Sequence, residues 1–294
     1  MKNSIFSALM AIGLIAFSSC SEEEPQLAAQ SDSTQINDKE IFPLTMKYKG
    51  VTYDVEATIN NDSLVILDKL VSDIYNREIK DNHTLAVLAH KADDGHDIVE
   101  YYASKQELEE KNNLNFLQRE SKTIIPTRET KPIDYNLAAT TVGRAILYDD
   151  TDFKDRNVII DIDKDYMQCI PSLGSYDSFN DKTSAIRVFN MLKPDKYYSP
   201  STAYPGVYGD YGRNLRTCLI GYENSNYGGK VLYCVSKSYC AIDLAKLGTG
   251  VYHEDWKLGK IGWNDKISSV VFRIITTQNI ADGEYPEHQT IPAN

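Results

Sequence analysis

The chain is read from the run Tyr222-Glu223-Asn224-Ser225-Asn226-Tyr227-Gly228-Gly229 and a later run, Trp263-Asn264-Asp265-Lys266-Ile267-Ser268-Ser269-Val270. Both have earlier counterparts, Tyr148-Asp149-Asp150-Thr151-Asp152-Phe153-Lys154-Asp155 and Phe179-Asn180-Asp181-Lys182-Thr183-Ser184-Ala185-Ile186. The order is the same in each copy, an aromatic-flanked polar turn and then an Asn-Asp loop leading into an apolar segment. The spacing is 32 residues from Tyr148 to Asn180 and 42 from Tyr222 to Asn264. Such self-similarity marks a repeated supersecondary unit, and short apolar segments between turn residues mark that unit as β.

The two runs resemble the signatures of the βγ-crystallin family, aromatic-x4-aromatic-x-Gly for the folded hairpin and Asn/Asp-Asn/Asp-x-x-Ser/Thr-Ser for the calcium loop of microbial members. The second copy fits both, through Tyr222, Tyr227, Gly229 and Asn264 to Ser269. The first departs at Asp155, in place of the hairpin glycine, and at Ala185, in place of the last serine. The resemblance covers 143–276 and implies a double Greek-key sandwich with two calcium sites. The expected fold class is mostly β, that sandwich preceded by a small α+β domain.

Calcium is a hard cation that takes six to eight oxygens, and Asn, Asp, Ser hydroxyl and backbone carbonyl supply them. By the family's pattern, Ser184 and Ser268 give hydroxyls and Lys182 and Lys266 give carbonyls. The pairs Asn180-Asp181 and Asn264-Asp265 supply or brace further oxygens, and a carbonyl at Thr151 or Ser225 completes each site from the other copy. With one carboxylate per loop, affinities of about 10⁻⁵ to 10⁻³ M are expected, as in extracellular modules.

Lys2, an apolar run over 5–17 and then Ser18-Ser19-Cys20 have the order of a cleavable export signal, 1–19. The ending resembles a bacterial lipobox, which makes Cys20 the lipidation site, and the following Ser21-Glu22-Glu23-Glu24 resembles the surface-export signal of Bacteroidota lipoproteins. The expected location is the outer membrane, lipid-anchored at the cell surface, with residues 20–40 as a flexible tether. The whole chain carries −11; loss of Lys2 with the signal leaves 30 basic against 42 acidic residues, a balance of −12. That argues against nucleic-acid partners, which need a basic face.

Residues 41–60 alternate, with Leu44, Met46 and Tyr48, a turn at Gly50, then Val51, Tyr53 and Val55, and predict a hairpin. Mixed spacing follows over 64–75, then a buried strand over 84–90, a strand over 98–102 and a capped helix over 104–111 with Ser104 and Glu107 in capping-box positions. This small α+β domain, 41–117, is followed by a linker over 118–142 and, beyond the crystallin-like part, by a tail over 277–294. His83, His90 and His96 near Asp93, Asp94 and Asp97 lack the spacing of a metal motif and read as scattered polar residues. His253-Glu254-Asp255 reads as a solvated turn.

Cys169, Cys218, Cys234 and Cys240 lie in an exported chain without a Cys-x2-4-Cys pair, so two disulfides of open connectivity are expected rather than zinc. Between the copies, 193–214 carries Tyr197, Tyr198, Tyr204, Tyr208 and Tyr211 among Pro and Gly, a candidate recognition loop for an extracellular protein or glycan. There is no Gly-x-Ser-x-Gly elbow, phosphate loop or His-Glu-x2-His, and no enzymatic activity is expected. The expected function is that of a calcium-binding structural or binding lipoprotein. The alternatives are a secreted protease inhibitor with a crystallin-like fold and two disulfides, or an adhesin or toxin targeted by its crystallin half.

Overall fold

Lys49 and Gly50 both take positive φ, +50° and +78°, as the two central residues of a type I′ hairpin turn require. This tight turn joins β1 (Ile41–Tyr48) to β2 (Val51–Asn60) in the expected hairpin. The structure, a computed structural model, describes residues 40–116, 120–123, 141–154, 156–163, 166–175, 178–192, 215–237 and 253–276. The expected signal, Cys20, the tether up to residue 39, Asp155, the five tyrosines of 193–214, Cys240 and the tail lie outside those residues.

After the hairpin come β3 (Ser63–Ile66), then helix α1 (Lys69–Ile74), capped by Asp68 Oδ1 accepting from Val71 N at 2.9 Å and continuing as a π turn over Tyr75–Ile79. β4 (Ala86–Lys91) and β5 (Asp97–Tyr102) form an antiparallel pair. α2 (Lys105–Lys111) starts where the capping residues predicted: Ser104 Oγ accepts from Glu107 N at 3.1 Å. The reciprocal bond of Glu107 falls one residue earlier than in a capping box, on Ala103 N at 2.7 Å. β6 (Asn115–Phe116) and β7 (Glu120–Thr123) follow.

The first repeat contributes β8 (Gly143–Tyr148), β9 (Asn157–Ile162), β10 (Tyr166–Ile170) and β11 (Ala185–Asn190). The second contributes β12 (Leu215–Asn224), β13 (Gly228–Val235), β14 (His253–Lys257) and β15 (Ser269–Thr276). They form two open sheets, one of four strands in the order β14-β11-β8-β9, the other of eleven in the order β3-β2-β1-β5-β4-β13-β12-β15-β10-β7, with β6 beside β15. The third strand of each repeat is exchanged: β10 lies with the second repeat and β14 with the first. The chain is mostly β, as expected.

The 41–117 segment, expected to stand as a unit of its own, instead shares a sheet with the second repeat, and residues 39–294 make one compact unit. The seam is β4 parallel to β13, with Ala86 opposite Val231 and Ala89 opposite Cys234. Its cause is visible in the residues: 85–89, Leu-Ala-Val-Leu-Ala, is apolar on both faces and fully or nearly fully buried, as a central strand of a covered sheet must be. The expected linker is crossed too, since β7 pairs in parallel with β10. One face of the large sheet packs Leu219, Phe272 and Trp263 with Leu147, Ile186 and Trp256 of the small sheet. The other packs Leu88, Cys218, Ile220 and Tyr233 beneath Leu108 of α2.

Candidate metal centre

Each Asn-Asp loop precedes the last strand of its repeat, β11 or β15, and the two loops grip one another. Ser268 Oγ donates to Asp181 Oδ1 at 2.6 Å, and Ser184 Oγ donates to Asp265 Oδ1 at 3.1 Å. The backbones cross in the same sense, Asp181 N to Ile267 O at 3.2 Å and Asp265 N to Thr183 O at 3.1 Å. Both aspartates take the left-handed conformation, with φ of +51° and +52°, which Asp tolerates better than most residues. The arrangement has the two-fold character of the sequence repeat.

Within each loop the leading Asn turns its amide NH2 onto the neighbouring acid, Asn180 Nδ2 to Asp181 Oδ2 at 2.7 Å and Asn264 Nδ2 to Asp265 Oδ2 at 3.0 Å. That leaves the amide oxygens Asn180 Oδ1 and Asn264 Oδ1 buried and without a hydrogen-bond donor. Buried acceptors are nearly always satisfied, so two orphaned at matching positions call for a further partner, a hydrogen-bond donor or a cation. Lys182 and Lys266 occupy the third position of each loop as expected. Lys266 Nζ donates to Gly262 O at 2.9 Å, and burial lowers its pKa.

Among the described residues no hydrogen bond links Thr151 or Ser225 to the Asn-Asp loop of the other copy. Backbone bonds tie each hairpin to the loop of its own copy, Ser184 N to Tyr148 O and Ser268 N to Tyr222 O, both at 2.8 Å. What crosses between copies is the aspartate of each loop, through its side chain and its backbone N–H. Thr151 and Ser225 are exposed on the two hairpin turns.

The aromatic corners form in both copies, Tyr148 with Phe153 at 5.4 Å and Tyr222 with Tyr227 at 5.5 Å between ring centroids, edge to face. In the second copy Ser269 Oγ pins the corner, accepting from Tyr227 N at 3.0 Å and donating to Asn224 O at 2.7 Å. Gly229 there has φ of +76°, and a Cβ would come within 2.8 Å of Asn224 Nδ2. In the first copy Ala185 offers no hydroxyl. Asp150 Oδ1 braces that turn instead, accepting from Asp152 N at 3.1 Å and Lys154 N at 3.3 Å.

Two acids outside the predicted ligand set belong to the site. Burial raises the pKa of Asp265 against the hydrogen bond from Ser184 and the charge of Lys182, and repulsion from Asp62 and Asp149 adds to the rise. Asp149 also has a buried, unpartnered Oδ1, its other oxygen being held by Arg156. The acidic run 149–152 was the sequence signal for Asp149. Asp62, on the turn between β2 and β3, had none.

Elsewhere the structure redistributes the candidates. His83, His90 and His96 go to three different carboxylates, Glu223, Glu100 and Asp94. No three His, Cys, Asp or Glu side chains gather to hold a metal among the described residues. His253-Glu254-Asp255 is strand rather than turn: Asp255 pairs with Arg187 at 2.7 Å, and Glu254 points inward, where burial pushes its pKa up to about 7.

Cys169, Cys218 and Cys234 are not bonded to one another, and Cys240 lies outside the described residues. In the β12–β13 ladder Cys218 faces Val235 and Leu219 faces Cys234, so the one-residue offset sends the two sulfurs to opposite faces of the sheet. Cys169 lies on β10, separated from β12 by the whole of β15. No family model, curated protein or solved structure matches the chain.

Proposed function

We propose that the chain is a lipid-anchored surface protein of the βγ-crystallin type whose paired loops bind calcium, and that it acts as a non-enzymatic structural or binding module. The observation that carries this reading is the reciprocal Ser–Asp grip with its two orphaned amide oxygens. Strand exchange supports it: in the orders β14-β11-β8-β9 and β13-β12-β15-β10 each repeat gives its third strand to the other, the exchange expected of two interlocked Greek keys. Calcium at the loops supplies a cross-link between the repeats, replacing serine hydroxyls as the partner of Asp181 and Asp265. Asn180 Oδ1, Asn264 Oδ1 and Asp149 Oδ1, buried and without a protein hydrogen-bond partner, are the further oxygens that would bind it. Anchoring at Cys20 places the module at a surface where calcium is plentiful.

The test is thermal unfolding of the full chain in EDTA and across calcium concentrations, with magnesium as control. A ligand at a hundredfold excess over Kd adds about 2.7 kcal/mol, which in a unit of this size is roughly 5–10 °C. A calcium-selective rise that disappears in Asp181→Ala and Asp265→Ala is expected. An unchanged midpoint in the native chain overturns the reading.

A further inference from the structure

A second concavity lies where parallel strands β1 and β5 end side by side, Tyr48 opposite Tyr101. It has a volume of about 390 Å³ and three walls: the hairpin tip 48–52, the loop 82–85, and the stretch from Glu100 into α2. The sheet register holds these together, since Ala86, just after the loop, pairs with Tyr102. None of its residues belongs to the calcium loops.

The lining carries more lysine than acid in an acidic chain. Lys47, Lys49 and Lys111 line it against Glu100 and Glu107, whereas the whole chain carries −11. Lys49 is fixed by the type I′ turn, its Nζ 5.0 Å above the Tyr48 ring and 2.7 Å from Glu78. Lys47 reaches Glu100 at 2.7 Å, and Lys111 reaches Glu107 at 2.6 Å. The three lysine side chains are nevertheless 40, 68 and 63 % exposed. An ammonium has three rotatable donors, so a carboxylate partner does not exhaust it.

Glu100 is an ionised carboxylate engaged by the pocket's own donors. Burial works against its ionisation, but hydrogen bonds from His90, Lys47 and Tyr102 overcome that and hold its pKa down to about 2. Its oxygens are thereby occupied, at 3.0, 2.7 and 2.5 Å. The remaining polar groups at the rim, Thr52, Thr84 and Asn82, suit hydroxyls, and the tyrosines give the floor an apolar part. The volume is at the small end of the range for small-molecule sites, about 300–1,000 Å³.

We propose that this cavity binds a small hydroxylated carboxylate of the acidic-monosaccharide class, its carboxylate held by Lys47, Lys49 and Lys111 and its hydroxyls by Thr52, Thr84 and Asn82. The site is independent of calcium. Saturation-transfer NMR on the full chain with glucuronate, and with glucose and acetate as separate probes, tests it. Glucuronate at about 10 mM should bind with Kd near 1 mM, and glucose and acetate at least about tenfold more weakly. Raising the salt to about 0.5 M should weaken glucuronate several-fold, because the lysines are exposed to screening. Lys49→Glu, checked for unchanged melting, should weaken it about tenfold or more. Absence of glucuronate transfer overturns the proposal, as does equal binding of glucose, and acetate binding as tightly as glucuronate removes the sugar from it.

Discussion

Truncating Leu88 to alanine should destabilise the distant half of the chain that carries the Asn-Asp loops as much as its own. Leu88 is fully buried on β4, opposite Tyr233 of β13 and Glu100 of β5, and packs in the cluster with Leu108, Cys218 and Ile220. A leucine-to-alanine change at such a site costs about 2–5 kcal/mol, from lost transfer energy and the cavity left behind. For a cooperative unit of this size, roughly 2–4 °C of melting temperature go with each kcal/mol, so a loss near 3 kcal/mol predicts a drop of about 6–12 °C. The readout is built in. The chain has two tryptophans, Trp256 and Trp263, both buried in the second repeat, so tryptophan fluorescence reports from that half and from its contact with the N-terminal part, where Lys91 Nζ lies 5.9 Å from the centroid of the Trp256 ring. The fluorescence transition should fall together with far-UV circular dichroism in one step. A fluorescence midpoint that stays put, with an earlier separate transition in the dichroism, would refute the shared core and restore two independent domains.

Ser269→Ala, which removes both bonds pinning the second aromatic corner, should cost about 1–3 kcal/mol in denaturant unfolding without calcium; a loss below a few tenths would mean the corner holds itself. Glu254 predicts a pH effect of definite sign: burial places its folded pKa at about 7, above the ordinary 4.5, against the opposing charges of Lys237, Lys91 and Arg216. Between these values the unfolded chain has released the proton that the folded one keeps, so this contribution is complete below about pH 4.5 and is lost as pH rises through about 7. The loss amounts to about 3 kcal/mol. Glu254→Gln should be flatter than the native chain in melting scans from pH 5 to 8, and equal slopes in the two would show that Glu254 does not titrate there.

What was legible in the sequence was local or periodic. Gly50 after an alternating run marked the first hairpin, Ser104 and Glu107 marked the start of α2, and the aromatic turns marked both corners. The apolar stretch 85–89 was readable as a buried strand, but burial on both faces does not say against what, and its partner β13 lies in the other half of the chain. The facing of Cys218 and Cys234 depends on a register offset of one, which no composition shows. β7 has the polar sequence Glu-Ser-Lys-Thr and pairs in parallel with β10, a place in the sheet that its residue types do not announce. At the candidate site the ligand types were legible loop by loop. Their crossing, each aspartate held by the other repeat's serine, is a property of the assembled pair.

The parallel β4–β13 ladder has a consequence for how the protein comes to be folded. Ala86 and Val231 meet across 145 positions of chain, and closing so long a loop costs entropy before the contact returns anything. A chain that emerges from its amino end presents the sticky 85–89 strand long before residues 228–235 exist to cover it. Until then one edge of β4 can be shielded by β5 and the other has no native neighbour. The interval between the two arrivals is therefore when the molecule is most open to pairing with another copy of itself, and a factor that binds extended apolar segments would matter most there.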